Sequence, residues 1–171
     1  FILKAVVEAL KKHPMFNASI DEATGEIVYK HYYHIGIAVD TEQGLIVPVI
    51  RDVDKKSLLE LSIELQELAE RTRQRKVSLE EMQGGTFTIS NQGGIGGAHF
   101  TPIINTPEVA ILGIGRGSLQ PVVLGKKIVQ RMIVPLGLSY DHRLIDGANA
   151  ARFITDFVQA LQHFDEKAVK L

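Results

Sequence analysis

A long amphipathic helix is the feature that most constrains the fold. Ser57 and Glu60 have the spacing of a capping box, in which each side chain accepts a hydrogen bond from the other residue's backbone N–H. The apolar positions that follow at helical spacing are Leu58, Leu61, Leu65, Leu68 and Ala69. This stripe predicts a helix that continues to about Lys76 and packs one face against the rest of the chain.

Helices are also predicted at both ends of the sequence. "FILKAVVEALKKHP" has its apolar residues at helical spacing but no capping residue before Phe1, so we expect the sequence to begin inside a helix. Pro14 should stop that helix. The last helix is predicted from about Gly147 to His163. The residues of its apolar face are Ala150, Ile154, Phe157 and Leu161.

Strand-like runs occupy the sequence between these helices. "EIVYKHYYHIGIAVDTEQGLIVPVIRD" predicts two or three strands with a turn near 42–44, which favours an antiparallel hairpin. A short helix capped by Ser78 and Glu81 precedes the strand-like "TFTIS". The further predicted strands are 109–115, 122–124 and 128–140. These patterns together predict an α/β fold, a two-layer sandwich of a mixed sheet and helices.

The composition favours one domain and excludes several kinds of partner. The chain has 171 residues, of which 45% are hydrophobic, enough to bury a sizeable core. Its 19 basic and 20 acidic side chains leave no overall field to attract nucleic acid or an anionic membrane. The lack of cysteine excludes zinc–thiolate clusters and a cysteine nucleophile, and no apolar stretch approaches the roughly 18 residues of a membrane span. We therefore expect neither nucleic acid nor a membrane as a partner.

The segment "LSYDHRLIDGANAARF" carries the first candidate for chemistry. His142 lies where an apolar strand ends and a helix begins, and an imidazole accepts a proton near neutral pH when its other ring nitrogen is held. Asp141, Asp146 or a backbone carbonyl are the candidates to hold that nitrogen. The alternative is a turn without chemistry, in which Asp146 caps the last helix and Asp141 pairs with Arg143. On composition alone this alternative is favoured.

The glycine-rich "TISNQGGIGG" is the second candidate. Ser90 and Asn91 close a strand, and the four glycines that follow let the backbone approach a ligand closely. Ser90 and nearby amides would then face an oxygen on which charge develops. A dinucleotide-binding fingerprint is not matched, because His99 stands where the third glycine should be. A plain connection between strands is the alternative.

His31 and His34 are the residues that suggest a metal site. Side chains three positions apart in a strand point to opposite faces, so this pair cannot chelate one ion without a bulge or further ligands. We therefore expect no metal.

These motifs resemble the catalytic domain of the dihydrolipoamide acyltransferases, the core components of the 2-oxo-acid dehydrogenase complexes. "YDHRLIDG" at 140–147 fits that family's D-H-R-x-x-D-G signature. "FNASI", "FTISNQGGIGG" and "FTPIINTPEVAILGIG" fall in the family's order, and the similarity covers essentially the whole chain. The resemblance implies a chloramphenicol acetyltransferase-like fold.

The resemblance includes one departure, at the N-terminus. The family's catalytic domain normally has a strand, a helix and an arm before the segment that matches "FILKAVVEAL". Residues 1–171 are therefore expected to be an N-terminally incomplete catalytic domain, without the family's lipoyl and peripheral subunit-binding domains.

The resemblance also implies the reaction. In this family an acyl group, here acetyl by likeness to the pyruvate branch, passes between a dihydrolipoyl thiol and the thiol of coenzyme A. By similarity His142 is the general base, Ser90 hydrogen-bonds the tetrahedral oxyanion, and Asp146 supports the turn. Asn91 is expected to shape the substrate channel. The lipoyl group, a cofactor of the full-length protein, is carried on a separate domain, and coenzyme A is a substrate.

The chain itself is the first partner that the resemblance implies. Related enzymes form trimers in which the histidine of one chain faces the serine of its neighbour, and the trimers assemble into cores of 24 or 60 subunits. The other implied partners are the lipoyl domain, the 2-oxo-acid decarboxylase/dehydrogenase component and dihydrolipoamide dehydrogenase. The implied compartment is the bacterial cytoplasm or the mitochondrial matrix.

Two alternatives to this function stay open. One is a core or scaffold fragment without catalysis, against which the intact His142, Ser90 and Asp146 argue. The other is a coenzyme A-dependent acetyltransferase of the chloramphenicol acetyltransferase branch. Arg143 and the run "PEVAILGIG" favour the dehydrogenase-complex branch instead.

Overall fold

The structure is a computed structural model that describes residues 1–42 and 44–164. Its α-helices are α1 (Ile2–Lys12), α2 (Leu58–Arg73) and α3 (Gly147–Gln162). Its strands are β1 (Ala18–Ile20), β2 (Ile27–Tyr29), β3 (Ile35–Thr41), β4 (Gly44–Ile46), β5 (Val49–Ile50), β6 (Phe87–Asn91), β7 (Ala110–Ile114), β8 (Ser118–Leu124), β9 (Lys127–Ile133) and β10 (Leu136–Tyr140). None of the helices in this part of the chain has the length and apolar character needed to cross a bilayer.

Local chemistry determines where the helices begin and end. The Ser57 hydroxyl accepts from the backbone N–H of Glu60 at 3.2 Å, and the Glu60 carboxylate accepts from the N–H of Ser57 at 2.6 Å. This confirms the predicted capping box of α2. Helix α1 ends at Lys12, two residues before Pro14, as predicted.

The segment predicted as a short helix is a single 3₁₀ turn at Glu80–Met82. Ser78 and Glu81 still exchange the two predicted hydrogen bonds, at 2.9 and 3.3 Å. These bonds hold the Glu81 carboxylate in its charged form, and they lower its pKa together with the nearby Arg71.

Six strands form one mixed sheet in the order β10-β7-β6-β3-β4, with β5 also paired to β3. Strand β6 runs parallel to β3 and to β7, whereas β10 runs antiparallel to β7. Strands β3 and β4 form the antiparallel hairpin predicted around residues 42–44. Two further pairs, β1–β2 and β8–β9, form small separate sheets.

The prediction of one strand over 128–140 was wrong. The chain forms β9 and β10 instead, with a break at Val134-Pro135 between them. Proline has no N–H to donate to a ladder, so it ends one strand and lets the next pair with a different partner. β9 pairs with β8, whereas β10 joins the main sheet.

The helices cover one face of the main sheet. Helix α1 packs on α3, and α2 packs on β3. The centre of this layer is aromatic: the rings of Phe16 and Phe153 stack at 4.2 Å, and Phe153 lies 5.7 Å from Phe87. All three side chains are fully buried. The predicted two-layer α/β sandwich is confirmed.

The other face of the sheet is covered by an irregular segment, residues 98–105. Phe100 and Pro102 pack on Gly113, where a Cβ would lie 2.9 Å from the phenyl ring, so only glycine fits. Ser139 fastens the segment by donating its hydroxyl hydrogen to the carbonyl of Pro102 at 2.6 Å. This second face is where the Ser90 side chain points, because alternation puts Phe87 and Ile89 towards the helices.

Candidate active site

The turn that carries His142 is held rigidly at both ends. The backbone N–H of Asp141 donates to the carbonyl of Val109, which fixes the start of the turn beside β7. At the other end, Ile145 is completely buried in the core, and Asp146 accepts from the N–H of Asn149 at 2.7 Å as the N-cap of α3. The predicted helix-capping role of Asp146 is therefore confirmed.

Arg143 makes an ion-pair cluster beside His142. The Asp141 carboxylate accepts from the guanidinium of Arg143 at 2.7 and 3.1 Å and from its backbone N–H at 2.9 Å, which lowers the pKa of the Asp141 carboxyl. The guanidinium also donates to Glu22 at 3.0 and 3.3 Å. The predicted Asp141–Arg143 pair is confirmed, and Glu22 is a third member that the sequence pattern did not indicate.

The His142 side chain itself is exposed. Its ring lies against Tyr140, with 5.8 Å between the ring centroids, and it makes no hydrogen bond to any residue in the described part of the chain. Asp141 is occupied by Arg143 and Asp146 by the helix N-terminus. Neither aspartate therefore holds the imidazole, and no backbone carbonyl of the described residues does so either.

Ser90 lies on β6 at the wall of a cavity of about 410 Å³. The cavity is closed by residues 100–105, and its other side is formed by β3, β4 and β7. Among the described residues the Ser90 hydroxyl has no hydrogen-bond partner, so its proton is available to a ligand. None of the described residues that line this cavity is acidic, basic or a histidine. The cavity therefore offers a donor but no general base.

The glycine-rich segment after β6 forms a closed turn. Asn91 accepts from the N–H of Gly93 at 3.0 Å, and Gly97 donates its N–H to the carbonyl of Gln92. Gly96 has a φ of +94°, which only glycine adopts without strain. The N–H groups of Ile95 and Gly96 also donate within the turn, so Oδ1 of Asn91 and four amides are engaged and the segment in one chain is a structural turn. A role for Asn91 in the substrate channel stays a prediction.

Sheet register separates Ser90 from His142 within one chain. Ser90 is level with Gly113 on β7, and Gly113 is level with Gly137 on β10. Tyr140 is three residues further along β10 than Gly137, which is roughly 10 Å along the strand. β10 is also two strands away from β6, which is a further separation of roughly 10 Å across the sheet. The Cα atoms of Ser90 and Tyr140 are therefore about 14 Å apart, and His142 lies beyond the end of the strand. One chain cannot bring the two side chains into contact.

His31 and His34 lie between β2 and β3, outside both strands, so the strand alternation expected for them was wrong. His34 accepts a hydrogen bond at Nδ1 from the N–H of Asp52 at 3.0 Å, and burial lowers its pKa. This nitrogen is therefore occupied by the backbone.

The sequence motifs did not indicate three polar residues near Ser90. Thr88 is on the same face of β6 as Ser90, and Asn105 lines the same cavity. Behind them lies Glu108, which is 6% exposed and whose pKa burial raises to about 7. The alternation of "TFTIS" places Thr88 with Ser90, but nothing in the pattern indicates that Glu108 is buried.

Comparison with known proteins agrees with this arrangement. Residues 1–169 match the family described as 2-oxoacid dehydrogenases acyltransferase (catalytic domain). The dihydrolipoyllysine-residue acetyltransferase component of the pyruvate dehydrogenase complex of Haemophilus influenzae is 53% identical over 155 residues, which are 91% of this chain. That alignment spans 27% of the relative's length, so the chain corresponds to about a quarter of that protein.

Solved structures give the same relationship. The dihydrolipoamide acetyltransferase of Azotobacter vinelandii, studied for the role of a serine, a histidine and an asparagine in its catalytic mechanism, is 51% identical with a TM-score of 0.92. The cubic core of a pyruvate dehydrogenase multienzyme complex is 52% identical with the same TM-score. Both matches cover 99% of this chain and 69% of the other.

A chloramphenicol acetyltransferase, 17% identical with a TM-score of 0.56 over 92% of this chain and 74% of its own, shares the fold. The predicted likeness to that fold is confirmed. The match covers nearly the whole of this chain, and about half of its residues are identical to those of the relatives, so this chain belongs to the family of 2-oxoacid dehydrogenase acyltransferase catalytic domains.

Proposed function

We propose that this chain transfers an acetyl group between the dihydrolipoyl group of a lipoyl domain and coenzyme A, in a site shared between two chains. The observation that carries the proposal is the cavity at Ser90, which has a free hydroxyl donor and no acid or base among its described lining residues. Acyl transfer between thiols needs a base, since a thiol with a pKa near 8.5 is mostly protonated at neutral pH. The exposed His142 of a neighbouring chain supplies it.

The steps follow from these two side chains. His142 of one chain takes the proton of the attacking thiol, and the sulfur adds to the carbonyl carbon of the thioester. The negative charge that moves to the carbonyl oxygen accepts a hydrogen bond from the Ser90 hydroxyl of the other chain. When the intermediate collapses, the bond to the leaving sulfur breaks and that sulfur takes the proton back from His142. No acyl group is attached to the protein at any stage.

The Azotobacter enzyme supports the assignment of these residues. The serine and histidine in its catalytic mechanism are 52 positions apart, and its asparagine comes four positions after the histidine. Ser90 and His142 have the same spacing in this chain, and Asp146 stands where the asparagine would fall. Aspartate and asparagine are both good N-caps, because both offer a side-chain oxygen to the backbone N–H groups of the first turn. We infer that position 146 serves by fixing the turn after His142.

The β8–β9 hairpin supports assembly of the chain with copies of itself. One face of the hairpin is apolar and exposed, and its large side chains, which are 61–74% exposed, are Leu119, Val123, Ile128 and Met132. A two-stranded hairpin is at most marginally stable when nothing covers it. A second copy that covers this face would also bring a second active-site half. Self-assembly agrees with the cubic core formed by the solved relative.

The further partners and the compartment follow from the proposed reaction. The lipoyl domain and coenzyme A would deliver the two thiols, and the 2-oxo-acid decarboxylase/dehydrogenase and dihydrolipoamide dehydrogenase components would load and reoxidise the lipoyl group. The named relatives are components of the pyruvate dehydrogenase complex in bacteria, which favours acetyl as the acyl group and the bacterial cytoplasm as the compartment. Parallel assays with acetyl-, succinyl- and isobutyryl-coenzyme A test the acyl preference.

Complementation between two inactive variants tests the shared site. Ser90→Ala and His142→Ala chains, each assembled alone, should lose about 100-fold or more of the dihydrolipoamide–acetyl-coenzyme A transfer rate. Co-expressed in equal amounts, they should recover roughly a quarter of the wild-type rate, because roughly one in four sites then combines an intact serine with an intact histidine.

The control replaces the Ser90→Ala chain in the mixture with a chain that carries both substitutions. That mixture contains no intact histidine and should stay inactive. Mixed assemblies of the two single variants that recover nothing would refute a site shared between chains. Wild-type assemblies without transfer activity would instead favour the scaffold alternative.

A further inference from the structure

The His142 imidazole is placed by the backbone that carries it. Its side chain has no hydrogen-bond partner among the described residues, and its ring contacts that of Tyr140. The backbone on either side is tightly turned, because the N–H groups of Leu144 and Ile145 both donate to the carbonyl of Asp141, at 3.1 and 3.0 Å. Where the proton-accepting nitrogen lies therefore depends on how firmly this turn is held.

Arg143 links the centre of the turn to a distant part of the chain. One edge of its guanidinium, Nε and Nη2, donates to the Asp141 carboxylate, so the two residues that flank His142 are joined. The other edge, Nη1 and Nη2, donates to the carboxylate of Glu22 at 3.3 and 3.0 Å. Two parallel bonds fix the orientation of a guanidinium as well as its distance. Glu22 is 121 positions away in the sequence, so this contact ties the turn to another element of the fold.

The β1–β2 hairpin that carries Glu22 is itself well fastened. The backbone N–H of Asp21 donates to the carbonyl of Glu26 at 2.9 Å, which closes the hairpin turn around Glu22. At the base of the hairpin the Asn17 side chain, which is fully buried, donates to the carbonyl of Lys30 at 2.9 Å. Glu22 therefore holds the outer edge of the guanidinium from an ordered support.

We propose that Glu22 is a positioning residue for His142: through the guanidinium of Arg143 it restrains the turn that presents the imidazole to the thiol. The proposal rests on the proposed function of His142 as the general base. Glu22 touches neither the thiol nor the imidazole. Its side chain is 75% exposed and that of Arg143 is 60% exposed, so the effect on the rate is limited to what an exposed ion pair contributes.

The test compares kcat of Glu22→Gln and wild-type assemblies for transfer between dihydrolipoamide and acetyl-coenzyme A. Glutamine keeps the length of the side chain but removes the charge that holds the guanidinium. We expect kcat to fall roughly two- to fivefold, the size that an exposed pair allows. KM for acetyl-coenzyme A should stay nearly unchanged, because the substitution loosens the base and removes no contact with the substrate. An unchanged kcat would overturn the proposal.

The matched control is Glu26→Gln, which makes the same change of charge on the same hairpin. The side chain of Glu26 is exposed and makes no ion pair with any described residue. Its kcat should equal that of the wild type. An equal fall for both variants would contradict the proposal, because it would make the charge of the hairpin responsible and not the contact with Arg143.

A double-mutant cycle with Arg143→Gln tests whether Glu22 acts through Arg143. Arg143→Gln alone should lower kcat at least as much as Glu22→Gln, since it releases Asp141 as well. Adding Glu22→Gln to that variant should then lower kcat no further. If the two falls multiply instead, Glu22 acts on the site by another route and the proposal is wrong.

Hydrogen exchange gives a readout that does not depend on activity. The turn contains the N–H groups of Arg143, Leu144 and Ile145, all of which are bonded to Asp141. In assembled Glu22→Gln these amides should exchange several-fold faster than in the wild type, whereas Glu26→Gln should match the wild type. Unchanged exchange in Glu22→Gln would sink the proposal even if the enzyme is active. Faster exchange together with wild-type assemblies that transfer no acyl group would show that the proposed function fails and the restraint does not.

Discussion

Replacing Glu108 with glutamine should make the protein more stable at alkaline pH and change little at acid pH. Because burial raises the pKa of Glu108, the folded chain binds this proton more tightly than the unfolded chain. Its contribution to the free energy of unfolding is therefore fully present below about pH 4.5, declines as the pH rises, and is lost above about pH 7. Glutamine stays neutral throughout and does not show this decline.

The size of the effect follows from the pKa shift. A rise from the ordinary value of 4.5 to about 7 corresponds to about 3 kcal/mol, at about 1.4 kcal/mol for each pKa unit. The side chain is 6% exposed, so solvent screening removes little of this energy. We expect the free energy of unfolding of Glu108→Gln to exceed that of the wild type by up to about 3 kcal/mol at pH 8, with the difference shrinking towards zero near pH 4.5.

Guanidinium unfolding at about pH 5 and pH 8 measures this difference, with protein concentration held equal because assembly contributes to stability. Glu67→Gln, which neutralises an exposed carboxylate on α2, is the control, and its difference from wild type should not depend on pH. If Glu108→Gln is no more stable than the wild type at pH 8, or if the advantage is the same at both pH values, the carboxyl group is not held neutral in the folded chain and the reasoning is refuted.

Two further predictions concern the His142 turn and the hairpin. Asp146→Ala should lower the free energy of unfolding by about 1 kcal/mol and lower kcat. Asp146→Asn should stay near wild type in both quantities, because the amide oxygen still caps α3. An asparagine variant as impaired as the alanine variant would show that the charge matters more than the cap. Ile128→Lys should dissociate the assembly, measured by sedimentation velocity, without unfolding the protomer, measured by circular dichroism. Gln120→Lys, on the opposite face of the hairpin, should leave the assembly intact. Equal effects of the two substitutions would contradict an interface on the apolar face.

Features of the fold that depend on neighbouring residues were predictable. The capping box of Ser57 and Glu60 needs four consecutive positions and no tertiary contact, and both of its hydrogen bonds are present. The break between β9 and β10 was missed although Pro135 signals it locally, because the apolar run on both sides favoured one long strand. Which strands pair is not a local property. The order β10-β7-β6-β3 depends on contacts between residues far apart in the chain.

In the candidate site, too, the local motifs could be predicted and the long-range arrangement could not. The motif around His142 and the serine that closes β6 could be picked out because each is local. Their distance in space could not be derived from their spacing, since two residues 52 positions apart in sequence can be either near or distant in the fold. The register of Ser90 with Gly113 and the antiparallel direction of β10 decide it. Glu108 was missed because a glutamate in an apolar run is ordinarily exposed, and its burial depends on how β1 and the 84–86 loop pack over it.

In the proposed function, acyl transfer depends on assembly because Ser90 and His142 come from different chains. Ser90 is held by hydrogen-bonded strands on both sides, and His142 by a turn that Ile145 and the Asp146 cap anchor in the core. A change of rotamer moves either side chain by only a few ångströms, which is small against a gap of about 14 Å or more. Ser90 and His142 are therefore held apart in one chain, and we propose that association through the exposed apolar face of the hairpin brings the two residues of neighbouring chains together. In the proposed shared site, rigid placement of both residues would leave little geometry to adjust once two chains associate, so the packing that separates them in one chain would favour precise alignment between chains.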